Sequence, residues 1–378
     1  GVQVTQPSGK PGEASTIRVR GIGSWSSSNS PLYVIDGVPY DGDISALNTA
    51  DIESTTVLKD AASNALYGAR GANGVVLITT KKGRSLEAEI NVDVRLGSSS
   101  RALPNYDVIK NPGTYYEKAY TAIYNSVYGT ADYPTNEAAN AYANATLPTT
   151  GNGGVGYNIF TVPSGENLIG LDGKLNPNAT LGYSDGNYTY RPDNWFDEVF
   201  NGGNLRQEYN ANISGATDKI NYFVSGGYLK DEGIVKNTDF NRYALTGNMN
   251  YTSPNSKFTI GVDMKVGFTD NSTGSGNAVS QSGVASGASA SSLLPPPSLY
   301  SASVAALQVF GVENSTVKSN YSATVNLGYA LPFDIKWRGT FNYSYNSTDQ
   351  EKFTPAILSD SKYSAIAYNY NSNESKVY

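Results

Sequence analysis

From residue 87 onward the chain alternates. The run EAEINVDVRLG puts Ile90, Val92, Val94 and Leu96 on one face of an extended strand and Glu89, Asp93 and Arg95 on the other. The same period of two returns over 205–213, 220–228, 243–251, 258–268, 321–329 and 333–343, with 363–370 a candidate eighth strand. Each run is near the roughly 9–11 residues of a tilted membrane strand. The charges settle which face meets what. Arg206, Glu208, Arg242, Asp263, Lys265, Asp334, Lys336 and Arg338 all fall on the parity opposite the apolar set. A basic residue at mid-depth on a lipid face would cost about 2–4 kcal/mol. A soluble sandwich also alternates, but its strands are usually shorter and its exposed face does not gather aromatic residues at its ends. The connections alternate too: long (97–204), tight (215–218), intermediate (231–239), tight (253–256), long (269–320), tight (331–332). Short turns on one side and long loops on the other predict an antiparallel transmembrane β-barrel wall.

Before residue 85 the grammar differs. Short strands are predicted at 17–20, 32–36, 52–58 and 74–81, with a polar loop over 21–31. A short helix is predicted over 61–66, with Asp60 as N-cap and Gly68 as the left-handed residue that ends it. This reads as a small mixed α/β domain, residues 1–84, compact enough to sit inside a barrel formed from 85–378. The glycine-rich stretch 68–74 is not a phosphate loop: it lacks the Gly-Lys-Ser/Thr ending and precedes a strand instead of following one.

Composition narrows the function classes. The 378 residues hold no cysteine and no histidine, which excludes disulfides and His-based zinc or triad chemistry. Charged residues are 16%, tyrosines number 29, and net charge is −6 without a basic stripe. The tyrosines suit membrane-interface girdles, and nucleic acid is not an expected partner. No apolar run approaches the ~18 residues of a membrane helix. No signal peptide precedes the first strand, so a mature or partial chain is expected.

Four ordered motifs carry a family resemblance: Arg18-Val19-Arg20-Gly21, Val34-Ile35-Asp36-Gly37-Val38-Pro39, Val57-Leu58-Lys59-Asp60-Ala61 and the stretch from Tyr67 to Val75. Asn194-Trp195-Phe196-Asp197 and Gly227-Tyr228 before Asp231-Glu232-Gly233 add to it. Together they resemble the SusC/RagA type of TonB-dependent outer-membrane transporter of Bacteroidota. The resemblance implies a plug domain followed by the first 7–8 strands of a barrel that has roughly 22. It further implies active import of an oligosaccharide, or secondarily an oligopeptide, across a Gram-negative outer membrane. The expected partners are a SusD-like surface lipoprotein and the TonB-ExbB-ExbD complex, with a dimer of transporter–lipoprotein pairs as one arrangement. A TonB-contacting segment and an N-terminal extension are expected to precede Gly1. Neither a cofactor nor enzymatic activity is implied.

By the same resemblance, Arg20, Glu53 and Arg70 would join an ion-pair network holding the plug to the wall; the plain alternative for Arg18 and Arg20 is a solvated strand edge. The loop residues Trp25, Ser26, Ser28 and Asn29 and the turn residues Tyr40, Asp41 and Asp43 would face the external cavity as ligand contacts, although Asp41 and Asp43 equally suit a turn. No metal site is expected, since their spacing does not match an EF-hand. Within the external loop 98–203, Tyr115-Tyr116, Tyr120, Tyr124 and Tyr128 recur near every fourth residue, which predicts an amphipathic helix with a packing stripe. Trp195 and exposed tyrosines are the alternative, as sugar-stacking surfaces. Two other classes stay open at this point. One is a surface glycan-binding or adhesive β-protein, which leaves the plug motifs unexplained. The other is a glycan hydrolase, for which no carboxylate pair stands out.

Overall fold

The computed structural model describes residues 2–6, 9–19, 21, 29–59, 65–100, 109, 111–149, 151–156, 158–184, 189–190, 203–273, 313–333, 335–354 and 367–377. The first unit opens with a two-stranded ribbon, β1 (Val2–Thr5) on β2 (Thr16–Val19). A four-stranded sheet follows, built from β3 (Leu32–Ile35), β4 (Val38–Tyr40), β5 (Ile52–Leu58) and β6 (Val75–Thr80) in the order β4-β3-β6-β5. Strands β3 and β6 run parallel; the other pairs are antiparallel. A two-residue turn joins β3 to β4, with Asp36 at φ 51° and Gly37 at φ 88°. Positive φ at both positions is the primed hairpin turn, for which Asp-Gly is a preferred pair. Both faces of the sheet are covered: Leu32, Val34 and Val75 pack with Leu58, Tyr67 and Leu77 on one side. On the other, Ile35, Val76 and Ile78 pack with Tyr33, Ile44, Leu47 and Val57.

The expected helix over 61–66 falls mostly outside the described residues; Ala65–Gly71 is a tight 3-10 helix instead. Gly68 interrupts it at φ 61°, ψ −149°, a region essentially confined to glycine, so it kinks the segment instead of capping it.

The wall is a single antiparallel sheet of eight strands. Its order is β7 (Glu89–Gly97), β12 (Arg206–Ala216), β13 (Ile220–Glu232), β14 (Asp239–Thr252), β15 (Phe258–Ser272), β16 (Glu313–Ala330), β17 (Lys336–Thr354) and β18 (Ala367–Val377). Each wall strand pairs with the next, β7 with β12 included, although a loop of residues 98–205 separates those two in the chain. Burial is inverted relative to a water-soluble protein. The outward set, including Ile213, Val224, Leu245, Met249 and Met264, is exposed, while Glu208, Asn210, Ser225, Arg242, Asn248 and Asp263 are buried. Exposed apolar and buried polar sets on opposite faces are what lipid outside and a filled polar lumen inside require.

Two aromatic rows edge the apolar face. Tyr209, Tyr228, Tyr243 and Phe268 are successive cross-strand partners, with Tyr228 and Tyr243 ring centres 4.9 Å apart. Phe268 leans edge-on to Tyr321 at 5.4 Å, and Tyr321 opposes Tyr345. Towards the short turns, Phe258, Tyr329 and Trp337 form the second row. Rows 8–10 residues apart, on strands tilted ~35–45°, enclose a band of about 20–25 Å, the height of a barrel's apolar belt.

Between β7 and β12 lies a separately packed loop unit. Its helices Pro112–Val127 and Asn136–Thr146 and the short strands β8 (Phe160–Thr161) and β9 (Thr180–Leu181) enclose Tyr116, Tyr120, Ile123, Leu147, Ile159, Phe160 and Ile169. A two-residue pairing, β10 (Tyr183–Ser184) with β11 (Thr189–Tyr190), follows. Tyr116 and Tyr120 are the packing stripe that the spacing predicted.

Candidate functional site

The functional geometry lies where the first unit docks on the inner face of the wall. The Asp-Gly turn aims Asp36 at the wall, and Lys265, inward-facing on β15, reaches it with Nζ 2.8 Å from Oδ2. The two side chains are 14% and 7% exposed for Lys265 and Asp36 respectively, so water scarcely screens the pair. Asp36 also accepts from the Thr80 amide at 2.9 Å and the Thr80 hydroxyl at 2.8 Å. Burial works to raise its pKa, but Lys265 and these hydrogen bonds outweigh burial and hold the carboxyl below its ordinary value.

A second anchor forms around the short 3-10 helix Ile44–Ala46. Asp43 caps it by accepting from the Ser45 amide at 2.9 Å, pairs with Lys318 of β16 at 2.7 Å, and donates its own amide to Asn320 at 3.1 Å. Burial again pushes upward, and the Lys318 and Ser45 bonds bring the carboxyl below its ordinary value. A third anchor centres on Arg242 of β14, which donates to the Leu47 carbonyl at 3.0 Å and lies 3.8 Å from Glu208. Asn48 donates to Asn210 at 2.9 Å, and Asn248 to the Lys81 carbonyl at 2.8 Å. Close approach completes the fit. A Cβ on Gly267 would stand 3.0 Å from that of Ala46, and one on Gly83 would collide with the carbonyl oxygens of Gly215 and Tyr222.

The residues singled out from sequence distribute differently. Arg20, Trp25, Ser26, Ser28 and Trp195 lie outside the described residues. Asn29 is half-buried just ahead of β3. Glu53 pairs with Arg84, and Arg70 with Asp41, all within residues 41–84. Neither Glu53 nor Arg70 is therefore placed in an ion pair with the wall; each meets a partner nearer in its own unit, where both pairs are largely solvated. Among the described residues, the ion pairs to the wall come from Asp36 and Asp43. Tyr40 donates its hydroxyl to the Asp43 carbonyl at 3.1 Å, and burial raises its pKa. Tyr40 and Asp43 are thus engaged in docking, while Asp41 stays exposed beside Arg70. Lys265, Lys318 and Arg242 went unnamed as anchors, although their inward parity marks them as lumen charges.

Residues 1–75 match the family model described as TonB-dependent receptor plug domain. The TonB-dependent receptor P26 of Formosa agariphila is 30% identical over 376 residues, covering 94% of this chain and 31% of that protein. The TonB-dependent receptor SusC of Bacteroides thetaiotaomicron is 30% identical over 257 residues, covering 66% of this chain and 20% of that one. Among solved structures, the RagAB peptide transporter superposes with a TM-score of 0.63 at 19% identity, over 93% of this chain and 38% of its own. The chain has the plug and barrel wall of a TonB-dependent receptor. Within that class it is of the SusC/RagA type. It spans between a fifth and a third of the length of the P26 and SusC relatives.

Proposed function

We propose that this chain is the gated part of an outer-membrane importer that takes up an oligosaccharide, driven through the plug by TonB-ExbB-ExbD and lidded by a SusD-like lipoprotein. The observation that carries this reading is the chemistry of the plug–wall contact. Asp36–Lys265, Asp43–Lys318 and the Arg242 cluster are specific polar contacts, not a fused apolar core. Buried ion pairs specify a position without adding the stability that apolar packing of the same volume would. Such a plug is held in register yet releasable by a pull, because each separated group regains water in the lumen. The oligosaccharide is favoured over a peptide by the loop unit, where the half-exposed Tyr128 stacks on Tyr124 at 5.1 Å. Aromatic faces of this kind suit sugar rings.

The test is purification of the full-length protein, tagged in its host and extracted from outer membranes, with mass spectrometry of co-purifying proteins and small molecules. Recovery of a SusD-like lipoprotein with a bound oligosaccharide is expected. A bound peptide would move the cargo to the other class, and a lone barrel carrying an iron chelate would overturn the lidded-importer reading.

A further inference from the structure

Cations on the inner face of the wall are paired along most of its height. Arg206 meets Asp231 at 2.7 Å, Arg242 faces Glu208, and Lys265 and Lys318 hold the plug's aspartates. The pairing stops at the short-turn end. There, a cavity of ≈ 610 Å³ opens between the segment that follows β6 and the wall, lined by Lys82 of that segment and by Lys257, Lys336 and Arg338 of the wall. Amide side chains such as Asn250 and Asn326 line it too, and no acidic side chain does among the described residues. None of the four cations forms an ion pair with another described residue, although the buried Asp263, held by Asn326 at 3.3 Å, interacts electrostatically with Lys82. Like charges gathered in a cleft focus its field and attract counter-ions. Three of the four belong to the wall, so the positive end persists when the plug is displaced.

We propose that this chamber is an exit-side site for carboxylates, so that the imported oligomer is acidic and not neutral. The proposal rests on the import reading and names its cargo class. Sugar acids and acidic peptides share the chemistry; the wall cations draw either towards the short-turn side once the plug has moved.

The test uses full-length protein in planar bilayers, with the plug released by urea and tetragalacturonate, tetraglutamate or maltotetraose added on the short-turn side. At least one acidic probe is expected to block the current while maltotetraose does not, and which one blocks identifies the carboxylate's source. In the triple variant Lys257→Gln/Lys336→Gln/Arg338→Gln the affinity of the block should fall about tenfold or more. Should the variant not assemble, raising KCl from about 0.1 to 1 M, which shortens the screening length from ~10 to ~3 Å, must abolish the block in the unaltered protein. Equal block by maltotetraose, no block by either acid, or block indifferent to both changes overturns the proposal. None of these readouts needs TonB, a lid or the natural cargo, so failure here is distinguishable from failure of the import reading, which the co-purification tests.

Discussion

Lys265 and Asp36 meet 2.8 Å apart although 229 positions separate them in the chain, one from the barrel wall and the other from a turn of the plug. Removing one member of a buried pair strands the other. Lys265→Met is therefore expected to weaken plug docking by about 3–5 kcal/mol, towards the lower figure because Thr80 still serves Asp36. The urea concentration at which the full-length protein begins to conduct should drop. The double variant Asp36→Asn/Lys265→Met should recover part of the loss.

The same pair makes docking acid-sensitive. Asp36 and Asp43 both titrate below the ordinary aspartate value of 3.8 when the plug is seated. Their contribution is thus complete above that value and is lost as pH falls through it towards the seated pKa. Urea-induced conductance should begin earlier at pH 3 than at pH 6, and Lys265→Met should shrink that difference. An unchanged onset would show that these carboxylates do not hold the plug.

Much of the wall was legible because period two is a strong signal when lipid lies on one side and a filled lumen on the other. Strand lengths were not. The sequence pattern begins β16 at Tyr321 and ends β17 at Tyr343, whereas the strands run from Glu313 and to Thr354. Beyond the apolar belt the ladder continues as Asn, Ser, Thr and charged residues, so its hydrogen bonds persist where the hydrophobic alternation stops. The anchors were harder still. Parity told that Lys265 faces inward, but nothing local tells which plug carboxylate it meets. Glu53 and Arg70 have the right chemistry for such a role and are satisfied by Arg84 and Asp41.

Charge placed on the two faces should behave oppositely. Leu245→Arg, on the exposed apolar face between the aromatic rows, is expected to cost about 2–4 kcal/mol. Asn212→Arg, on the inward parity of β12 and opposite the uncharged Asn91 and Ser225, should be tolerated far better. The fraction of heat-modifiable, folded barrel on gels measures both.

The segment that leaves β6 passes too close to the wall for any side chain at position 83. Gly83→Val must displace it from the Gly215 and Tyr222 carbonyls, a shift expected to cost about 1–3 kcal/mol. Faster hydrogen exchange in β6, with β13 and β14 unchanged, is the expected signature.

In the loop unit between β7 and β12, Asn140 donates to Tyr120 at 2.7 Å and to the carbonyls of Ile169 and Gly170, and accepts from Asn167 at 3.0 Å. Asn140→Ala takes this partner from the Tyr120 hydroxyl and the Asn167 amide, while the Ile169 and Gly170 carbonyls keep Asn144 and the Gly173 amide, at about 1–3 kcal/mol for the least compensated group. Protease nicking within 136–176 should rise while the barrel stays intact.

The spacing of the two aromatic rows also acts as a gauge of bilayer thickness. A belt of about 20–25 Å fits a membrane thinner than the average ~30 Å hydrocarbon core, and each excess ångström carries a mismatch cost of a fraction of a kcal/mol. A thick bilayer would drown Tyr228 and Trp337 below the headgroups and squeeze the wall, loosening the inner face on which the plug sits. Membrane thickness would thereby bear on how firmly the plug is seated.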